Sequence, residues 1–540
     1  MISLRFIVGL CLALAAVTGV VGAPFDLAIR HGLVVDGTGK PGFRADVGIT
    51  AGRIVAVGSD IGPASREIDA TGLVVAPGFI DVHTHAEGIL HAPSAENFIR
   101  MGVTTVIAGN CGTSMDGAAE FLSNLTRARP SINVATLIGH NTIRAAVMGT
   151  SFMRPPSADE LGRMKVLVAQ AMKEGALGLS TGLIYIPGKY AKVEELVELA
   201  RVVATNGGIY TSHVRDENEG LIESMNEVFR IGREAQVPVQ ISHLKLAGNI
   251  IQPQTIANVT NLQAMRLAGL GQQVATALRA ARQSGLKVTE DHYVYSAVTM
   301  PAEGLLPDRY AGLSRDALLM AIENPTDRAT LLEEVKRSMR DAGLKDLSHA
   351  FIMVGRRFKP IEGLDLVSAT QRRKGNPSLD AQLELVLDLV RGGGVILTVY
   401  DQNEADLLPI LRDPGTMFAS DGGVFAGMND LRHPRAFGNN ARVLAHCVRE
   451  KNWLTLEEAI RRMTSLPATT FNLRDRGELR PGARADVVIF DAARVQDQST
   501  YLEPQRPATG FRLVLVNGVD VVVDDRHTGA KPGQAVRRGE

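Results

Sequence analysis

The sequence predicts an α/β fold built as a (β/α)8 TIM-like barrel, and three observations carry that expectation. Short apolar runs alternate with helical patterns of about ten to fifteen residues, the habit of strand-helix-strand units around a parallel sheet. Eight such runs can be placed in order. Polar, reactive side chains stand just after the runs, where a barrel opens its active face.

The eight runs are residues 74–82, 103–109, 133–139, 176–181, 208–212, 237–242, 287–293 and 417–420. Between them, Val193–Thr205 and Leu221–Ala235 repeat apolar and charged residues at helical spacing. Just after the runs, or closing them, come His83 and His85, Cys111, His140, His213, His243, Tyr293 and Asp421. Residues so far apart in the chain converge if every strand ends at one face.

A chain of 540 residues exceeds what one compact core usually holds, so a large catalytic domain and a smaller one are expected. Hydrophobic content of 45% supports a large core. Lys+Arg and Asp+Glu are equal at 58 each, which gives no overall field for nucleic acid or an anionic membrane. A small-molecule substrate is expected instead.

Residues 1–23 read as a signal peptide: Arg5 precedes an apolar run from Phe6 to Ala23 that closes on small residues. The mature protein would then be exported, to a bacterial periplasm. An uncleaved membrane anchor is the alternative, and Pro24 disfavours cleavage directly after Ala23. Of three cysteines, Cys11 lies in this segment, which leaves Cys111 and Cys447 and no disulfide framework. Cys447 sits in a helical pattern and reads as a core thiol.

His83 and His85 are two apart on a strand, so they point the same way and can reach one metal ion together. His213 and His243 each follow an apolar strand and a Ser, about one strand-helix unit apart. Matching placement beside a His-x-His and a Cys favours metal ligands over isolated core histidines. Asp421, before Gly-Gly, would alone read as a turn residue, but its position after the last strand argues for chemistry.

The ordered motifs resemble the amidohydrolase superfamily, in the branch of D-aminoacylases or N-acyl-D-amino-acid deacylases. They are GFIDVHTH at 78–85, AGNCG at 108–112, GALGLSTGLIYIPG at 175–188, SHVRDE at 212–217, VPVQISHLK at 237–245, ASDGG at 419–423, HPRAFG at 433–438, TSLPA at 464–468 and RGELRPGARADVVIFD at 476–491. Each is weak alone, and the ordered set is specific.

The resemblance implies that Cys111, His213 and His243 hold a tightly bound Zn2+, with His83 and His85 forming a second, weaker position. Thiolate and imidazole suit zinc, and a catalytic zinc keeps one position open. The resemblance makes Asp421 the general base that takes a proton from the attacking water and returns it to the leaving amine. The substrate would be an N-acyl amino acid, of D configuration in this branch. Lys245, Tyr293 and Arg435 match the family's carboxylate contacts, with Tyr185 and Arg215 as weaker candidates and His140 and Arg144 as supporting residues.

By the same resemblance, both flanks, 24–75 and 477–540, form one small discontinuous β-domain beside a catalytic barrel at 76–476. A charged helical pattern at 329–342, within an insertion at about 303–400, suggests a lid. Two departures bear on specificity: a long polar loop at 246–270, and Val294 where the family tends to place proline. The alternatives are an amidohydrolase acting on a cyclic amide or a D-residue dipeptide, and a non-catalytic exported metal-binding protein.

Overall fold

A computed structural model describes residues 25–539 except 219, 247–268, 312, 342, 401, 403 and 426–432. The signal-peptide segment lies outside the described residues, as does nearly all of the polar loop at 246–270.

Eight parallel strands follow one another in chain order. They are Phe79–Asp81, Val103–Ala108, Asn133–Thr136 with its continuation Ile138–Gly139, Gly178–Gly182, Ile209–His213, Val239–Ile241, Val288–His292 and Thr416–Phe418. Each pairs in parallel with the next, and Leu137 N–H donating to the Ala108 carbonyl at 2.9 Å bridges the break in the third. The ring closes between last and first. Gly422 pairs with Thr84, Asp421 N–H donates to the His83 carbonyl at 2.9 Å, and Ser420 N–H donates to the Asp81 carboxylate at 3.1 Å. Ile80, Ile107, Ala135, Leu177, Ile209 and Met417 fill the interior as one buried cluster, so the barrel is a packed core.

The run at 74–82 is two strands, not one. Val74–Pro77 belongs to a nine-stranded sheet of the flanks, and Phe79–Asp81 opens the barrel. The chain turns at Gly78, where a Cβ would stand 2.2 Å from Thr104 Oγ1, so no larger residue fits the crossing. Both flanks supply this sheet: Val487–Phe490 runs antiparallel to Val74–Pro77 and joins the C-terminal strands to the N-terminal ones. A separate apolar cluster, including Ile29, Val47, Ile54, Val75, Val487 and Leu515, holds it together.

On the barrel's outside, Val193–Thr205 and Leu221–Ala235 form helices, and each buries an apolar stripe, such as Leu196, Leu199, Ala200 and Val203. The helix Ala158–Glu174 starts with a capping box between Ser157 and Glu160. Between the seventh and eighth strands the chain forms a unit of its own. A three-stranded antiparallel sheet, Ala297–Pro301, Ile396–Tyr400 and Ala350–Val354, packs with helices including Pro325–Asp341 and Leu379–Gly392 around a second buried core. The helical pattern at 329–342 thus belongs to a longer helix, and the sheet beside it has no counterpart in the sequence reading. Among the described residues no helix is long and apolar enough to cross a membrane.

Candidate metal centre and active site

The barrel's C-terminal face brings together His83, His85, Cys111, His213, His243 and Asp421. Asp81, His83 and His85 alternate along one direction of chain, so all three share a face. His83 is fully buried, while the His85 side chain stays 40% exposed. Cys111 lies in the turn after the second strand, His213 ends the fifth, and His243 follows the sixth. Cys111, His243 and Asp421 have positive φ of 52°, 33° and 50°. Non-glycine residues adopt that region only when their surroundings hold them there, and such strain gathers at functional sites.

Cys111 is the hub. Its Sγ lies 3.2 Å from His83 Nε2, 3.6 Å from His213 Nδ1 and 3.6 Å from His243 Nε2. A tetrahedral zinc with ordinary Zn–S and Zn–N bonds separates its sulfur and nitrogen ligands by about 3.6 Å, so the donor set fits that ion. His83, Cys111 and His243 form one group whose donor atoms lie within 4.8 Å of one another, and His83, His85 and Asp421 form another. Each could hold a metal ion, as could His213, Glu217 and His243, and His83 belongs to the first two groups. Burial opposes ionisation of the Cys111 thiol, yet the adjacent imidazoles, His83 foremost, outweigh it and hold the thiol well below its ordinary range.

Asp421 Oδ1 lies 3.2 Å from His85 Nε2 and 3.6 Å from His83 Nε2, and Oδ2 lies 2.9 Å from the Arg435 guanidinium. Burial opposes ionisation of Asp421, but Arg435 and His83 outweigh burial and keep its carboxyl well below the usual carboxylate range. It stands ionised at neutral pH. Arg435 in turn lies over the Tyr293 ring at 4.4 Å, and the Tyr293 hydroxyl accepts from Gln402 Nε2 at 3.3 Å. The Tyr185 ring meets the His213 ring edge-on at 4.7 Å.

Two buried carboxylates escaped the sequence reading. Asp291, at the end of the seventh strand, places Oδ1 3.2 Å from His83 Nδ1 and accepts the His243 backbone N–H at 2.9 Å, while Gln240 Nε2 donates to Oδ2. Glu217 places Oε1 3.1 Å from His243 Nδ1 and 3.6 Å from His213 Nε2. His83 and His243 are thus each backed by a carboxylate on the far nitrogen, the arrangement that orients metal-binding imidazoles, whereas His213 Nε2 has no hydrogen-bond partner among the described residues. The signal was present: Glu217 closes the SHVRDE motif and Asp291 opens DHYVY at the end of the seventh strand.

Lys245 reaches the site, but its Nζ lies 2.6 Å from Glu217 Oε1 and 3.1 Å from His243 Nδ1. Burial opposes both charges of this pair, and each holds the other ionised. His140 and Arg144 meet at the buried carboxylate of Glu195, away from the thiol. Arg215 pairs with Glu227 at 2.9 Å and binds the Lys189 and Ala191 carbonyls. Cys447 is a buried thiol that burial pushes up to about 12, which suits a core position.

Residues 66–522 match the model of the amidohydrolase family. The chain is 34% identical to a D-aminoacylase of Alcaligenes xylosoxydans xylosoxydans, across 95% of this chain and 98% of that one. A D-aminoacylase structure described for its binuclear metal centre superposes with a TM-score of 0.76 at 32% identity, covering 95% of this chain and all of the other. An N-acyl-D-glutamate deacylase from Bordetella bronchiseptica, solved with zinc and a phosphonate inhibitor, gives 0.74 at 31% identity, covering 95% and 99%. The chain belongs to the amidohydrolase family, in its D-aminoacylase branch.

Proposed function

We propose that this protein is a zinc-dependent hydrolase that releases a free D-amino acid and a carboxylate from an N-acyl-D-amino acid. The observation that carries the reading is the Asp421 carboxylate within 3.6 Å of His83 and His85, beside the thiol-centred donor set. The relatives at 34% identity and the zinc-bound relative at 31% support it.

Cys111, His213 and His243 would hold the zinc, which when bound supplies Lewis acidity to polarise the amide carbonyl and make water nucleophilic at neutral pH. His83 and His85, with Asp421, outline the weaker second position. Asp421 takes the proton from the attacking water and hands it to the amide nitrogen as the C–N bond breaks. Arg435 keeps Asp421 ionised between turnovers and, seated on Tyr293, presents its guanidinium to the substrate carboxylate. Lys245 adds a second positive group to that seat, and Tyr185 flanks the acyl side. The unit between the seventh and eighth strands covers the site as a lid, with Gln402 fixing Tyr293. Export rests on Arg5 and the apolar run to Ala23.

The test is Asp421→Ala. Loss of about a thousandfold in kcat on N-acetyl-D-amino acids, with metal content retained, fits a proton-transfer role. Full activity in that variant sinks the reading.

A further inference from the structure

The sheet of the unit between the seventh and eighth strands begins at Ala297 and its last strand ends at Tyr400, and these two residues pair across it. Beside them, Gln402 N–H donates to the Ser296 carbonyl at 3.2 Å. The unit is therefore rooted where the two chain crossings meet. Both roots touch one side chain from far along the chain, Tyr501, on the C-terminal flank between Val487–Phe490 and Phe511–Val516. The Tyr501 hydroxyl accepts the Ala297 N–H at 3.1 Å, and its ring meets the Tyr400 ring edge-on at 5.1 Å. The same flank segment supplies Asp497, which accepts from the Tyr295 hydroxyl and from Arg442, each at 3.3 Å.

His433 joins this root to the active site. Its buried ring meets those of Tyr501, Tyr295 and Tyr293 at 5.4, 5.6 and 5.8 Å. Nδ1 accepts the Arg435 backbone N–H at 3.1 Å, so this nitrogen carries no proton. Nε2 lies 2.7 Å from the Ala297 carbonyl, which can only accept, so Nε2 holds the ring's one hydrogen and donates it. Burial and the charge of Arg435 both favour this neutral form.

Both polar backbone groups of Ala297 are thus engaged, one by Tyr501 and the other by His433. Beyond His433 stands Arg435, whose guanidinium meets Asp421 and lies over Tyr293. A continuous series of hydrogen bonds runs from the flank to the residue that receives the substrate carboxylate.

We propose that His433 is a positioning residue that fixes Arg435 against the root of the inserted unit, and that Tyr501 of the C-terminal flank holds that root in place. This rests on the amide-hydrolase reading above. A displacement of about 1 Å in a group that positions substrate can cost about a hundredfold, so modest loosening at this distance has a measurable effect.

The experiment measures kcat and KM of the zinc-loaded enzyme on an N-acetyl-D-amino acid for His433→Asn and Tyr501→Phe, each alone and combined with Arg435→Met. His433→Asn keeps an acceptor for the Arg435 N–H in the manner of an Asx turn but is too short to reach Ala297. Tyr501→Phe keeps the ring and removes only the acceptor of the Ala297 N–H. The expected result is a KM raised about tenfold in the first and about threefold in the second, with kcat within about twofold of the parent. In the Arg435→Met background neither substitution should change kcat/KM by more than about twofold, because residues that act through one group are not additive. Unchanged KM in both variants, a loss confined to kcat, or equal losses with and without Arg435 overturns the proposal. Tyr501→Phe, which removes a single oxygen, decides alone if His433→Asn does not fold. No hydrolysis by the parent enzyme would instead count against the amide-hydrolase reading itself.

Discussion

The Asp291 carboxylate lies 3.2 Å from Nδ1 of His83, on the side of the ring opposite Cys111, and the same oxygen accepts the His243 backbone N–H at 2.9 Å. One side chain from the seventh strand thus orients a residue just beyond the first strand and one beyond the sixth. Asp291→Asn keeps the shape but weakens the acceptor and removes the charge. It should lower zinc affinity by about 10- to 100-fold, read from metal retained during titration with a competing chelator. Unchanged affinity would show that Asp291 is a packing residue only.

Cys111 touches three imidazoles, so its loss should matter more than that of any one histidine. Cys111→Ala is expected to retain less than about a tenth of the zinc after dialysis. Chelation should lower the melting temperature of the parent protein, because a ligand bound only by the folded state stabilises it by mass action. The variant should melt at one temperature with or without zinc. A zinc-dependent melting shift in Cys111→Ala would place the tight site elsewhere.

Arg435 lies 2.9 Å from Asp421 and 4.4 Å above the Tyr293 ring, a combination that a lysine ammonium does not reproduce. Arg435→Lys should raise KM about tenfold or more. Arg435→Met should also move the acid limb of the kcat/KM profile. Asp421 acts as base only when ionised, and Arg435 helps depress its pKa, so removing that charge shifts the limb to higher pH. An acid limb that stays in place or moves lower contradicts this.

Below the site, burial pushes Glu290 up to about 8 although Arg282 lies 2.7 Å away. The ordinary value for a free Glu is about 4.3. A raised folded-state value means that the native protein keeps a proton which the unfolded chain releases. The associated stability is therefore complete below about pH 4.3 and is lost as pH rises towards about 8. Glu290→Gln should remove that slope, so its melting temperature gains on the parent between pH 5 and 8. Parallel profiles would show that the carboxylate is ionised throughout.

Much of this was legible in the sequence because the fold converts order into proximity. Strand ends in a parallel barrel share one face, so His83, His85, Cys111, His213, His243 and Asp421 could be grouped without coordinates. Val193–Thr205 and Leu221–Ala235 coincide with their predicted spans because their apolar stripes are uninterrupted. The break at Gly78 was hidden, since apolar residues lie on both sides and periodicity does not change where a strand passes from one sheet to another. Asp291 and Glu217 were missed for a different reason: what a carboxylate does depends on what it meets in space, and both face histidines from other strands. The pairing of Lys245 with Glu217 is likewise a tertiary fact that local spacing does not reveal.

The most direct measurement is hydrolysis of a panel of N-acetyl D- and L-amino acids by metal-stripped enzyme and by the same enzyme reconstituted with zinc. Release of free D-amino acid with zinc, little release from the L series and none without metal is the result expected of a zinc-dependent D-aminoacylase. Metal-independent turnover, or no turnover of either series by zinc-loaded enzyme, would contradict it.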